Sequence, residues 1–276
     1  MGSQWENFLC NLGEWRGSFT GVSAAGELLE STPSILSLES DEDDRLVRFR
    51  LRRFGPEGYD AEPIHDMAQD YRSLGRQVVF FDNGTFCKGT LQVSPGSEFG
   101  AEFGFVDGDR RHRLVQLHHS DGSYKQAVLI REFRSGTDAC EQPFCSPASL
   151  TGEWQGEAAT ISADWPEPTR SQSSFRVSLT AASSLQMNSV VGSEAIDRSI
   201  TLQNDRLGIV PGEQTSTLQW LPDGGFLIRP DRVTHRQSFV VEAGWLPSPD
   251  RLIRLIRRYD ASGAWQSATQ VIATRS

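Results

Sequence analysis

The sequence states its own plan twice. Gly13-Glu14-Trp15-Arg16-Gly17 returns as Gly152-Glu153-Trp154-Gln155-Gly156, 139 positions later. Phe99-Gly100-Ala101-Glu102-Phe103-Gly104-Phe105 is echoed by Phe239-Val240-Val241-Glu242-Ala243-Gly244-Trp245, 140 positions later. Arg113-Leu114-Val115 and Gly122-Ser123-Tyr124 have their counterparts in Arg254-Leu255-Ile256 and Gly263-Ala264-Trp265, at an offset of 141. Three blocks in one order at nearly constant spacing describe a duplicated domain, because the period is far too long for a solenoid. The break between copies falls at 137–148, where Pro143 and Pro147 follow Gly136 and periodicity is lost. The chain therefore divides into 1–136, a linker at 137–148, and 149–276.

Within each copy the periodicity is that of strands. Val47, Phe49 and Leu51 alternate with Arg48, Arg50 and Arg52, giving one buried and one wet face. Turn signals follow at short intervals, among them Asp82-Asn83-Gly84, Asp107-Gly108, Asp121-Gly122, Asp223-Gly224-Gly225 and Ser262-Gly263. Closely spaced hairpins of this kind read as an antiparallel meander. One helix is expected, from Ser3 to Leu12. Ser3 and Glu6 make a capping box, Trp5, Phe8, Leu9 and Leu12 share a face, and Gly13 ends it. Its expected role is a plug or lid on the first domain.

The net charge of −9 argues against nucleic acid or an anionic membrane as the main partner. No run approaches the roughly 20 apolar residues of a membrane helix. The opening Met1-Gly2-Ser3-Gln4-Trp5-Glu6 lacks the layout of a secretory signal, so a cytoplasmic location is expected. Four cysteines are too few for a disulfide scaffold. Cys140 and Cys145 alone are near enough to bridge, with buried thiols expected at Cys10 and Cys87. Neither a metal site nor a cofactor signature is read, and no nucleophile elbow or phosphate loop is present in the sequence.

A Gly-x-Trp opening the first strand of a hairpin-connected meander resembles the calycin group of lipocalins and fatty-acid-binding proteins. That resemblance implies an all-β chain: two tandem antiparallel calycin-like β-barrels with a short N-terminal helix. It also implies that Trp15 and Trp154 plug the barrel ends, each crossed by a late arginine. Arg113 and Arg254 match best, with Arg131, Arg134 and Arg275 competing. As a whole the chain resembles an uncharacterised family of cyanobacterial and plastid proteins with two calycin domains, in the same group as bilin lyases.

Candidate ligand residues follow. Arg257-x-Tyr259 shares one strand face and is similar to the Arg-x-Tyr with which fatty-acid-binding proteins hold a carboxylate. Gln116 and His118 stand at the corresponding places of the first copy, and Trp245 adds aromatic surface. Glu102 and Glu242 recur at matched positions, either as general acids raised in pKa inside an apolar barrel or as structural partners of the late arginines. The reading for function is a non-catalytic carrier of a hydrophobic anion (lipid, carotenoid or tetrapyrrole) in a barrel or the inter-barrel cleft. Two alternatives stand beside it: a lipocalin-like cyclase, isomerase or hydratase acting on a polyene or isoprenoid, and an assembly factor that binds protein without a ligand.

Overall fold

The computed structural model describes residues 2–181 and 183–276. A short helix, α1 (Gln4–Leu9), precedes β1 (Gly13–Val22), β2 (Leu28–Ser40), β3 (Val47–Arg53), β4 (His65–Tyr71), β5 (Val78–Phe80), β6 (Phe86–Gly89), β7 (Phe99–Asp107), β8 (Arg110–His118) and β9 (Tyr124–Arg134). After the linker and one helical turn, α2 (Pro147–Leu150), come β10 (Gly152–Ser162), β11 (Trp165–Ala181), β12 (Ser184–Val191), β13 (Glu194–Leu202), β14 (Leu207–Val210), β15 (Ser216–Trp220), β16 (Gly225–Pro230), β17 (Phe239–Ser248), β18 (Arg251–Tyr259) and β19 (Trp265–Arg275). Helix α1 has the expected capping box but stops at Leu9, short of Leu12. Cys140 and Cys145 are both free thiols, the first exposed and the second buried.

The two copies are not closed alike. Strands β10 to β19 form a closed ten-stranded barrel. The first copy is a nine-stranded curled sheet ordered β4-β3-β2-β1-β9-β8-β7-β6-β5, with β4 and β5 as unjoined edges. The cause lies in one connection. In the second copy residues 203–215 contain β14, which pairs with both β13 and β15 and so closes the barrel. In the first, residues 72–77 turn directly from β4 into β5 and supply no such strand.

Helix α1 takes over part of that task. Trp220 N donates to Arg206 O on the β14 side, whereas the matching Phe80 N donates to the Gln4 side-chain carbonyl at 2.7 Å. The Gln4 amide returns the bond to Phe80 O at 2.9 Å. A side-chain amide thus stands in for a strand backbone and covers one free edge. Phe8 then bridges the gap, its ring 5.2 Å from Phe80 and 5.8 Å from Tyr71.

The halves meet through a large shared core. Phe99, Phe103 and Phe105 of β7 face Phe239, Val241 and Trp245 of β17, joined by Leu114, Ile253, Leu255 and Tyr259. The contact has approximate two-fold symmetry. Val93 N donates to Gly263 O and Val233 N to Gly122 O; Trp265 N donates to Leu91 O and Tyr124 N to Asp231 O. Each bond repeats the other with the copies exchanged, as in an isologous dimer.

Candidate functional site

The barrel-end motif explains why the sequence repeats it. Trp15 and Trp154 are fully buried. Their indole N–H groups donate to Asn11 O at 2.9 Å and Leu150 O at 3.0 Å. The arginines that cross them are Arg134 and Arg275, with guanidinium carbons 4.3 and 4.2 Å from the ring centres, in place of the expected Arg113 and Arg254. Each comes from the last strand and donates to the carbonyl preceding the motif glycine, Leu12 O or Thr151 O. Gly13 and Gly152 have φ of 119° and 138°, and a Cβ on either would collide with the guanidinium. Replacing Arg275 with Met keeps the stem but removes this clamp. It is expected to lower stability by about 1–2 kcal/mol, read as a shift in urea midpoint at constant m-value.

Arg113 and Arg254 point inward, by the strand alternation that sends neighbouring residues to opposite faces. In the closed barrel Arg254 lies over Phe175 at 4.1 Å and donates to Glu242 and Ser189. Arg198 joins Glu242 at 3.0 Å from the other side. Burial opposes the Glu242 charge, yet Arg254 and Arg198 together hold its carboxyl below the usual carboxylate range. Trp154, Phe175, Met187, Trp220 and Phe226 fill the remaining interior. Glu102 is likewise engaged, by Arg113 at 2.9 Å. Both glutamates are thus partners of arginines.

The first copy has an opening. A cavity of about 330 Å³ lies inside the curled sheet, beneath the gap between β4 and β5. Phe19, Leu36, Phe49, Leu51, Leu74 and Phe86 are among its walls, and α1 contributes Phe8. Its floor is charged. Arg111 is 3% exposed and donates through Nε to Glu132 at 2.7 Å. Arg113 shares Glu132 and also holds Glu102. Arg111 Nη2 is buried without a hydrogen-bond partner. The Arg111 guanidinium also lies over Trp15, its carbon 4.6 Å from the ring centre, so the chamber is lined by Arg111 and Arg113 among apolar walls.

The expected ligand residues lie elsewhere. Arg257, Tyr259, Gln116, His118 and Trp245 all face the junction of the halves, outside either lumen. Arg257 is fully buried and donates through Nε to Tyr259 Oη at 3.1 Å; that hydroxyl donates to Thr90 O at 2.9 Å. His118 stands at the symmetry-related place and donates through Nε2 to Pro230 O at 3.0 Å. Gln116 has neither amide atom paired. Trp245 stacks on His112 with ring centres 5.6 Å apart, and His112 Nδ1 donates to Asp223 at 3.1 Å.

Sequence reasoning passed over Arg111, Glu132, His112 and Asp223. Arg111 and Glu132 have Leu252 and Ala273 as their counterparts, and His112 has Ile253. Aligning the copies and asking where one of them turns charged would have found these positions.

Among the described residues no group of metal-binding side chains assembles, and no helix is long and apolar enough to cross a membrane. The model of a domain of unknown function (DUF3598), N-terminal, matches residues 1–137. The model of the C-terminal domain of Biogenesis factor required for ATP synthase 1 matches residues 141–276. A crystal structure of a protein of unknown function from the same DUF3598 family, from Nostoc punctiforme, is 38% identical over 100% of both chains, with a TM-score of 0.92. An S-type phycobiliprotein lyase from Guillardia theta aligns over 47% of this chain and 90% of its own at 13% identity and a TM-score of 0.37, too slight a likeness to bear on function. No curated protein matches the chain.

Proposed function

The chain belongs to the DUF3598 family, and we propose that its first copy is a binding chamber for an elongated apolar molecule carrying an anionic group. The observation that supports this is the pair of arginines, Arg111 and Arg113, lining the otherwise largely aromatic and aliphatic cavity. At about 330 Å³ the chamber lies at the small end of the range for ligand pockets. An apolar body against Phe49, Leu51 and Phe86 would leave water, while a carboxylate would be held at the arginine-lined end of the chamber. The second barrel is filled, so this reading assigns it support and no cargo.

Titration with a long-chain fatty acid, a carotenoid acid or a bilin, followed by calorimetry and native mass spectrometry, tests the reading. Micromolar binding is expected for at least one of them. Arg111→Met should weaken it by about tenfold or more, the loss of one charge-assisted bond. Absence of binding by all three classes removes the proposal. An enzymatic role finds less support, because Glu102 and Glu242 are both tied to arginines.

A second reading has its own observation. The filled barrel leaves the second copy only its outer surface to offer a partner, and the family model matching that half is described as a biogenesis factor required for ATP synthase. In that reading the chain is an assembly factor that binds protein. Direct binding to purified ATP synthase subunits, unchanged by Arg111→Met, favours this reading over the carrier.

A further inference from the structure

The two-fold relation between the halves creates two equivalent pockets at their junction, and the pockets are filled in opposite ways. In the first, Arg257 comes from β18 of the second copy, with its guanidinium carbon 4.9 Å from the Trp265 ring. The position facing it across the junction is Gly89 of β6. A Cβ built on Gly89 would lie 3.1 Å from Arg257 Nε, so the arginine occupies the room a side chain there would need. In the second pocket Gln116 stands where Arg257 stood and Tyr124 replaces Trp265. The place of Gly89 is now taken by Arg229, whose guanidinium carbon lies 3.3 Å from the Tyr124 ring centre. Arg229 pairs with Asp231 at 3.0 Å, at the position that Leu91 holds in the first copy.

Each pocket therefore holds one guanidinium on one aromatic ring, and both guanidiniums come from the second half: Arg257 lies on that half's own Trp265, whereas Arg229 reaches across to Tyr124 of the first half. We infer that this placement of both arginines on the second half, opposite Gly89 and beside Gln116 on the first, is the code by which the halves select each other, and by which the second half refuses a second copy of itself. Under the same two-fold axis, a pair of second halves would place Arg257 and Arg229 in both pockets. Two buried guanidiniums would then compete for one ring and for the room that Gly89 leaves open. A pair of first halves would bring Gln116 against Gly89 and leave each pocket without a guanidinium and underfilled. Only the mixed pairing supplies one arginine per pocket. Duplicated domains whose junction is built like a dimer interface face this choice, and steric and charge conflict settles it more sharply than the apolar contact around it.

The test is a cycle of variants in the full chain. Gly89→Arg puts two guanidiniums in one pocket and should lower Tm by roughly 10 °C. Adding Arg257→Gln rebuilds at this pocket the composition of the other one. The double variant should regain most of that loss, and Leu91→Asp should add further recovery by supplying the carboxylate Arg229 enjoys. A tolerated Gly89→Arg, or a double variant no more stable than the single, overturns the inference. A protease site placed in the linker gives a second readout by native mass spectrometry of the cut, folded chain. Pairs of second halves should be absent for the natural sequence and appear for Arg229→Gly. Their presence without that substitution, or their absence with it, overturns the refusal.

Discussion

Glu242→Ala is expected to cost about 3–5 kcal/mol, the largest loss from any single charged residue of the second barrel. The carboxylate is 1% exposed and lies between Arg254, also 1% exposed, and Arg198. Removing it leaves two like charges facing each other, one of them with no water to solvate it. Breaking a buried pair from one side is costly for this reason, whereas replacing both members with apolar groups is often close to neutral. The double variant Glu242→Leu/Arg254→Leu should therefore be markedly more stable than Glu242→Ala. Urea unfolding of the two at neutral pH makes the comparison. If they are equally unstable, the network stabilises through shape and packing, and the charge argument fails.

This network shows where sequence reasoning reached and where it stopped. Duplication, strand alternation and the Gly-x-Trp opening were legible because each leaves a local signature: a repeated string, a period of two, a glycine that must adopt positive φ. Glu102 and Glu242 were legible as a matched pair with two possible roles. What decided between those roles was the cross-strand neighbour, Arg113 or Arg254, and pairing register is not written in either strand alone. The crossing arginine stayed open among Arg113 and Arg254 and their competitors for a related reason. Arg134 and Arg275 sit at the ends of the last strands, where a barrel brings distant chain segments together, so spacing along the chain does not single them out.

Parity correctly placed Arg257 and Tyr259 on one face and Arg254 on the other. It did not say which face was the lumen. In a free-standing barrel the outward face is wet, but here it is covered by the other half, so polar residues on it are buried as deeply as those inside. The second copy closes as expected and the first stays a curled half-barrel, because a single short strand decides closure. Residues 203–215 carry β14 and residues 72–77 do not, and the repeated blocks lie too far away to report the difference.

The histidines at that junction lead to the other large effect, a loss of stability in mild acid. His118 is fully buried; burial, the largest influence, pushes its pKa down to about 4, against the partial support of its bond to Pro230 O. Burial also lowers His112, with Asp223 opposing. Both rings are neutral in the folded chain, and a second proton would have no acceptor, since His118 Nδ1 and His112 Nε2 are buried and unpaired. The folded pKa lies below that of the unfolded chain, near 6.5, so the unfolded state takes up protons first. Stability is complete above about pH 6.5 and is lost as pH falls toward 4. For His118 alone the fall between pH 7.5 and pH 5 is about 2 kcal/mol, and His112 adds to it in the same direction. Urea unfolding across that range should show the decline, and His118→Gln should remove close to one proton from its slope. A slope unchanged by that substitution would place the acid sensitivity elsewhere. Both rings reach from the first copy to the second, one to Pro230 and the other to Asp223. Hydrogen exchange at pH 5 should therefore rise earliest in β8, which carries both histidines, and in β16, which ends at Pro230, and later in the interior of the second barrel.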